Sequence, residues 1–171
     1  MWWARARAAT VPERLSRALP LTAYGLAALV IAIDLGSKYW ALASLSYNVA
    51  EPVLPFWNWT LRYNTGAAFS FLAGQGGWQR WLFAVLAAGV SAMLAVWIWR
   101  TPRRLEAYSY ALILGGALGN LYDRMRHGHV VDFIEWHAAG HYWPAFNFAD
   151  SAICVGAALL MLHIVKDRGR A

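Results

Sequence analysis

Residues 21–42 read LTAYGLAALVIAIDLGSKYWAL. This is an apolar run of the length that crosses a bilayer, which takes about 20 mostly apolar residues, range about 17–25. Two residues break it, Asp34 and Lys38. Three further stretches have the same character: Trp81–Trp99, which is uncharged; roughly Ala107–Tyr122, which is short unless its flanks extend it; and Ala149–Val165. The expected fold is therefore an all-α polytopic membrane protein with four transmembrane helices. It forms one integral-membrane domain over residues 1–171, with spans at about 21–42, 81–99, 107–122 and 149–165.

Composition agrees. Of the 171 residues 60% are hydrophobic and 14% charged. A soluble domain is typically about 45–50% apolar and about 25% charged, so a soluble globular protein and a disordered chain are both disfavoured. The single cysteine, Cys154, excludes an intrachain disulfide and a cysteine-rich zinc site. It lies inside the fourth span, where a buried small thiol is the natural reading.

The net charge of +6 follows from topology. Arg5, Arg7, Arg14 and Arg17 precede the first span, Arg100, Arg103 and Arg104 join the second to the third, and Lys166, Arg168 and Arg170 follow the fourth. These ten of the fifteen basic residues share one side if there are four spans. Arg62, Arg80, Arg124 and Arg126 take the other. The positive-inside rule then puts both termini in the cytoplasm. No basic-plus-aromatic binding module is visible, so no nucleic-acid partner is expected. The first span does not read as a cleaved signal peptide, being too long and carrying Asp34 and Lys38.

Two segments face outward. Residues 44–79 contain the alternating aromatic run Phe56–Asn64, framed by Pro52, Pro55 and Gly74, Gly76 and Gly77, which reads as short strands at the membrane surface. Residues 123–148 read as a loop or helix and hold four of the five histidines. Within it, the stretch between Asp132 and Asp150 is a candidate mobile lid around Glu135-Trp136-His137 and Gly140.

Ionisable groups near the bilayer carry most of the information. One at the centre of a span costs about 2.5–3.5 kcal/mol on insertion scales, and such groups usually face a protein interior. Asp34 and Lys38 are four apart and share a helix face. Either they form a structural pair with Lys38 snorkelling to the interface, or they organise a site. Asn64-Thr65-Gly66-Ala67-Ala68-Phe69 is a polar turn followed by small residues, an ordinary loop or a place where a substrate backbone approaches closely. Gly115 and Gly119 have GxxxG spacing, with Asn120, Asp123 and Arg124 close behind, a packing and capping cluster or part of a site. Asp132 and Asp150 both sit in apolar surroundings. Asp150 begins the fourth span, where a helix cap is the simpler account. Two such carboxylates, if they meet in space, cannot both ionise easily. One becomes a general base and the other, protonated, polarises a carbonyl. His127, His129, His137 and His141 fit no metal-ligand pattern and are expected at the interface, with His163 a packing residue.

The motifs Asp34-Leu-Gly-Ser37-Lys38, Asn64-Thr-Gly66-Ala67-Ala68-Phe69, Gly115-Gly116-x-x-Gly119-Asn120-x-x-Asp123-Arg124, Val131-Asp132-Phe133 and Phe146-Asn147-x-Ala149-Asp150 occur in that order. Together, on a four-span frame, they resemble bacterial signal peptidase II, the lipoprotein signal peptidase, over about residues 20–166. Ser37 replaces the Thr often found in the first motif. The resemblance implies an aspartyl endopeptidase of the inner membrane with a periplasmic active site and no cofactor or metal. Asp132 and Asp150 match the catalytic dyad, Asn120, Asp123, Arg124 and Asn147 the supporting polar positions, and Asp34, Lys38, Asn64 and Gly66 the positions that shape the pocket. The implied partners are a diacylglyceryl-modified prolipoprotein, cut just before its lipid-bearing cysteine, membrane lipids, and the cyclic peptide inhibitor globomycin. The expected assembly is a monomer. Two other readings stand beside it. One is a small transporter lined by Asp34, Lys38, Asp123, Asp132 and Asp150, and the other a non-catalytic assembly factor that packs through GxxxG.

Overall fold

The computed structural model describes residues 13–66 and 76–168, so Ala67, Ala68 and Phe69 of the second motif lie outside the described residues. The chain runs α1 (Glu13–Ser44), β1 (Ala50–Leu54), β2 (Trp57–Asn64), α2 (Trp78–Arg100), α3 (Arg104–His127), β3 (Val130–Ala138), β4 (His141–Tyr142) and α4 (Phe148–Arg168).

Among the described residues three helices are long and apolar enough to cross a membrane: α1 over Ala18–Ser44, α2, and α4 over Phe148–Asp167. Their large apolar side chains point outward, as with Leu29, Val85, Trp99, Val155 and Leu162. This inverted surface is what a lipid solvent favours. The expected third span, 107–122, lies within α3, which is 24 residues long but not comparably apolar. The reason is packing. α3 contacts α1, α2 and α4 and buries Ala107, Ser109, Ala111, Gly115, Gly116 and Gly119. Lipid tails are as apolar as leucine, so close contact between membrane helices comes from small side chains rather than greasy ones.

The glycines show how tight that contact is. A Cβ on Gly115 would stand 2.7 Å from Val30 Cβ and 2.8 Å from the Ala27 carbonyl oxygen of α1. One on Gly116 would stand 2.4 Å from the Ala149 carbonyl oxygen of α4, and one on Gly119 2.3 Å from Asp34 Oδ2. A Cβ on Gly156 of α4 would stand 2.7 Å from the Ser109 carbonyl oxygen of α3. The GxxxG face of α3 thus meets α1, while Gly116 between its two glycines meets α4.

Both connecting segments contribute to one sheet, in the order β1-β2-β3-β4, antiparallel throughout. The strands expected within 44–79 are present. The loop or helix expected over 123–148 is instead the end of α3 followed by β3 and β4. Gly128 caps α3 at φ 83, its N–H reaching the Arg124 carbonyl. The run Val130-Val131-Asp132-Phe133-Ile134 that follows is β-branched and aromatic enough to prefer a strand. Of the stretch read as a lid, Glu135-Trp136-His137 lies in β3, and Gly140 falls between β3 and β4. Glu135 pairs with Asn58 and Trp136 with Trp57 across the β2–β3 ladder.

The sheet sits on the end of α1 through a second core of Ala41, Leu45, Leu61, Val131, Phe133 and Ile134. Trp40 of α1 meets Trp59 edge-on at 5.2 Å and Phe133 at 6.2 Å. At the opposite end of the bundle, Arg103 and Glu106 bond His163 at 3.2 and 3.1 Å, and Arg103 pairs with Asp167. His163 is therefore a polar tie between α3 and α4 rather than an apolar packing residue.

Gly116→Ala drives a methyl into the backbone of α4, which cannot give way as a flexible side chain would. The expected outcome is a loss of about 1–3 kcal/mol, read as a lower midpoint of thermal unfolding in detergent.

Candidate active site

The site grows from the C-terminal parts of α1 and α3. Asp34 and Lys38, one turn apart on α1, are 0% and 2% exposed. Lys38 does not snorkel. Its ammonium has three N–H donors, and three acceptors surround it: Asp34 Oδ2 at 2.8 Å, Asn120 Oδ1 at 2.9 Å and Asp123 Oδ2 at 3.0 Å. Each acceptor then does a second task. Asp34 Oδ1 accepts the Ala149 N–H in the first turn of α4 at 2.9 Å. Asp123 Oδ2 accepts the Val131 N–H at 3.0 Å, which holds the start of β3 against α3. Asn120 turns its Nδ2 to Asp150 Oδ1 at 2.8 Å. Because an ammonium can only donate, Lys38 fixes which way the Asn120 amide faces.

Asn147 joins the two aspartates. Its Oδ1 accepts the Asp150 N–H at 3.0 Å, while Asp150 Oδ2 accepts the Asn147 N–H at 3.2 Å. This is a reciprocal capping box at the start of α4, built from Asn and Asp in place of Ser and Glu. The Asn147 Nδ2 donates to Asp132 Oδ1 at 2.7 Å, with Asn120 Oδ1 and the Val131 carbonyl at 3.2 and 3.3 Å. Asp132 Oδ2 accepts from Asn64 Nδ2 at 3.2 Å, and Asn64 Oδ1 accepts the Gly66 N–H at 2.9 Å. Arg124 donates to the Gly66 carbonyl at 2.9 Å. The structure thus gathers all ten residues singled out in the sequence: Asp34, Lys38, Asn64, Gly66, Asn120, Asp123, Arg124, Asp132, Asn147 and Asp150.

Burial and the neighbouring Asp150 carboxylate, in that order, push the Asp132 carboxyl up to about 8, against the bonds from Asn64 and Asn147. Asp132 is 3% exposed. Its surroundings therefore favour the protonated form of this carboxyl.

Asp132 and Asp150 open onto one cleft of about 960 Å³. Along α4 its wall continues through Ile153, Cys154 and Val155, and along the sheet through Arg62, Glu135 and Tyr142. Cys154 is exposed, contrary to the expected buried thiol. The packing face of α4 is the one carrying Ala149 and Gly156, and Cys154 turns away from it. Arg62 was not among the expected site residues, although it faces Asp132 across the ladder. Its position two before Asn64 on an alternating strand was the available signal. Among the described residues no group of three or more His, Cys, Asp or Glu side chains is placed to hold a metal ion.

Two outcomes follow from this burial. Lys38→Met leaves Asp34 and Asp123 buried without their cation, and a loss of about 3–5 kcal/mol is expected in an unfolding measurement. Asp132 has a raised carboxyl, so protonation favours the folded state. Its contribution is fully present below the ordinary value of 3.8 and is lost as pH rises to about 8. Asp132→Asn removes that dependence, so its unfolding midpoint should fall less steeply than the wild type's between pH 4 and 8 as measured by thermal scans.

The profile of the signal peptidase (SPase) II family matches residues 26–166. The lipoprotein signal peptidase of Xylella fastidiosa (strain 9a5c) is 57% identical over 131 residues, 75% of this chain and 78% of its own length. That of Xanthomonas campestris pv. campestris (strain 8004) is 53% identical over 148 residues, 85% and 89% of the two chains. A bacterial membrane enzyme solved by the in meso method at 2.3 Å resolution superposes with a TM-score of 0.79 at 29% identity, over 87% of this chain and 90% of that one. With three helices apolar enough to cross a bilayer and relatives matched over most of its length, this chain is a multi-pass membrane protein and belongs to the signal peptidase II family.

Proposed function

We propose that this chain is an aspartyl endopeptidase that removes signal peptides from diacylglyceryl-modified prolipoproteins, cutting just before the lipid-bearing cysteine. The observation that carries the reading is that Asp132 and Asp150, 18 positions apart in sequence, bond the same Asn147 and line the same cleft. The names of the relatives supply the substrate class.

In this reading Asp132 and Asp150 are the catalytic pair. Asp132, protonated, donates to the scissile carbonyl oxygen. Asp150, ionised at the positive start of α4, takes a proton from a water as that water's oxygen attacks the carbonyl carbon. The tetrahedral diol collapses when Asp150 passes its proton to the departing amide nitrogen. The C–N bond breaks, and a diol hydroxyl returns the proton to Asp132. Asn147, Asn120 and Asn64 keep the two carboxylates in their places. Asp34, Lys38 and Asp123 anchor those amides, and Arg124 holds the Gly66 carbonyl just after β2. Every step uses the chain's own groups, with no cofactor or metal.

The same reading assigns the membrane arrangement. All four helices α1–α4 span the inner membrane, with both termini cytoplasmic and the sheet and dyad at the periplasmic face. The distribution of Lys and Arg supports this orientation. The substrate's apolar signal segment lies against α4, and the cleft along Ile153 and Val155 suits it. A globomycin-type cyclic peptide would occupy the same cleft, and one chain supplies every group the chemistry needs. The transporter reading fares less well, because its charged groups gather at one end of the bundle, locked in mutual hydrogen bonds.

A gel-shift assay on a diacylglyceryl-modified prolipoprotein, with a chelator present, tests the proposal. Wild type should cut before the modified cysteine. Asp132→Asn and Asp150→Asn should each lose about 10²–10⁴-fold in rate, the range that acid–base groups supply. Full activity in either folded variant would sink the dyad. The rate should also fall as pH rises through about 8, where Asp132 loses its proton.

A further inference from the structure

The dyad accounts for one end of the cleft, but its arm along the sheet carries a second set of charged groups that the chemistry does not use. Arg62 of β2 stands directly across the ladder from Asp132, so its side chain starts beside the reacting bond. The Arg62 side chain is 41% exposed, and its ionic contact is with Glu135 Oε1 at 3.6 Å. That is longer than the roughly 2.7–2.9 Å of a charge-assisted hydrogen bond. Glu135 is 6% exposed and already receives the Asn58 amide on Oε2 at 3.2 Å. The carboxylate is therefore fixed in place. The guanidinium carries five donors, and the contact with Glu135 employs few of them.

Direction along the cleft follows from the membrane. On one side of the dyad the wall is Ile153 and Val155 of α4, apolar and leading along the membrane helices. On the other it leads along the sheet and sets the charged pair Arg62 and Glu135 among aromatic residues such as Trp136, Tyr142 and Trp143. An apolar signal segment belongs with the first. The chain that continues beyond the cut must then leave past the second.

We propose that Arg62, steadied by Glu135, is a specificity-determining residue that reads the first residues after the lipid-bearing cysteine and favours acidic over basic side chains there. This rests on the proposed peptidase reading. An extended chain advances about 3.3 Å per residue and the cut precedes the cysteine, so the first two residues after the cysteine lie roughly 7–10 Å past the cut, within reach of a long guanidinium side chain that starts beside Asp132. Arg62 donates to their carboxylates and repels an ammonium at the same position. Glu135 limits the preference by neutralising part of the charge.

The test is a competition in one tube between two diacylglyceryl-modified prolipoproteins that differ only at the first two positions after the cysteine, Asp-Asp in one and Lys-Lys in the other. The full-length protein is used, and the readout is the ratio of kcat/KM values. Both substrates meet the same enzyme, so a poorly folded fraction cancels from the ratio. Wild type should favour the acidic substrate by about two- to five-fold, the size expected of a half-exposed ion pair. Arg62→Gln should bring the ratio near one, and Arg62→Glu should reverse it. Glu135→Gln should widen the wild-type preference. The same ratio in wild type, Arg62→Gln and Arg62→Glu would overturn the assignment while leaving the peptidase standing. Failure of folded wild type to cut either substrate would overturn the peptidase reading and this subsite with it.

Discussion

A single buried ammonium organises the membrane end of this site. Lys38 is 2% exposed and meets one acceptor for each of its protons, on Asp34, Asn120 and Asp123. Burying a charge costs several kcal/mol unless it is paired and hydrogen-bonded. The arrangement is therefore tolerable only when all three partners are in position. Those partners come from α1 and α3, and through their second bonds they reach α4 and β3. An interaction this costly to satisfy partially acts as a register mark. It is complete in one mutual arrangement of four elements, and that arrangement brings Asp132 beside Asp150.

Asp150 serves two purposes. It closes the capping box of α4 with Asn147 and it faces the cleft. The simple account, a helix cap, holds in this structure, and a helix N-terminus also favours an anion there. Asp132 is the opposite case. It has no helix to favour its charge, and burial next to a second carboxylate pushes its carboxyl up, toward the protonated form. Two carboxylates of the same chemical type thus sit in contrasting surroundings.

The packing around the site follows the same economy of space. Gly119 gives the room in which the Asp34 carboxylate lies, and Gly116 gives the room for the first turn of α4. Small residues on α3 therefore act on chemistry by letting polar groups of neighbouring helices approach. They also explain why α3 lacks the apolar surface of its neighbours while being the helix that all three contact.

Much could be read before any coordinates. Apolar runs of spanning length located the helices, because lipid imposes a composition on any surface it touches. Asp34, Lys38, Asp132 and Asp150 stood out, because charge in such surroundings demands a partner or a purpose. The ordered motifs pointed to the family. What the pattern of residues did not contain was who meets whom. It left Lys38 free to snorkel, read residues 123–148 as a loop or helix, buried Cys154, and passed over Arg62. Each of these depends on contacts between segments far apart in the chain. The strand preference of Val130–Ile134 is realised as β3 where β2 pairs with it, and Cys154 is exposed because Ala149 and Gly156 take the packing face of α4. Local composition reports the solvent a segment prefers. The joining of Asp132 and Asp150 through one asparagine exists only once α1, α3, α4 and the sheet have closed around Lys38.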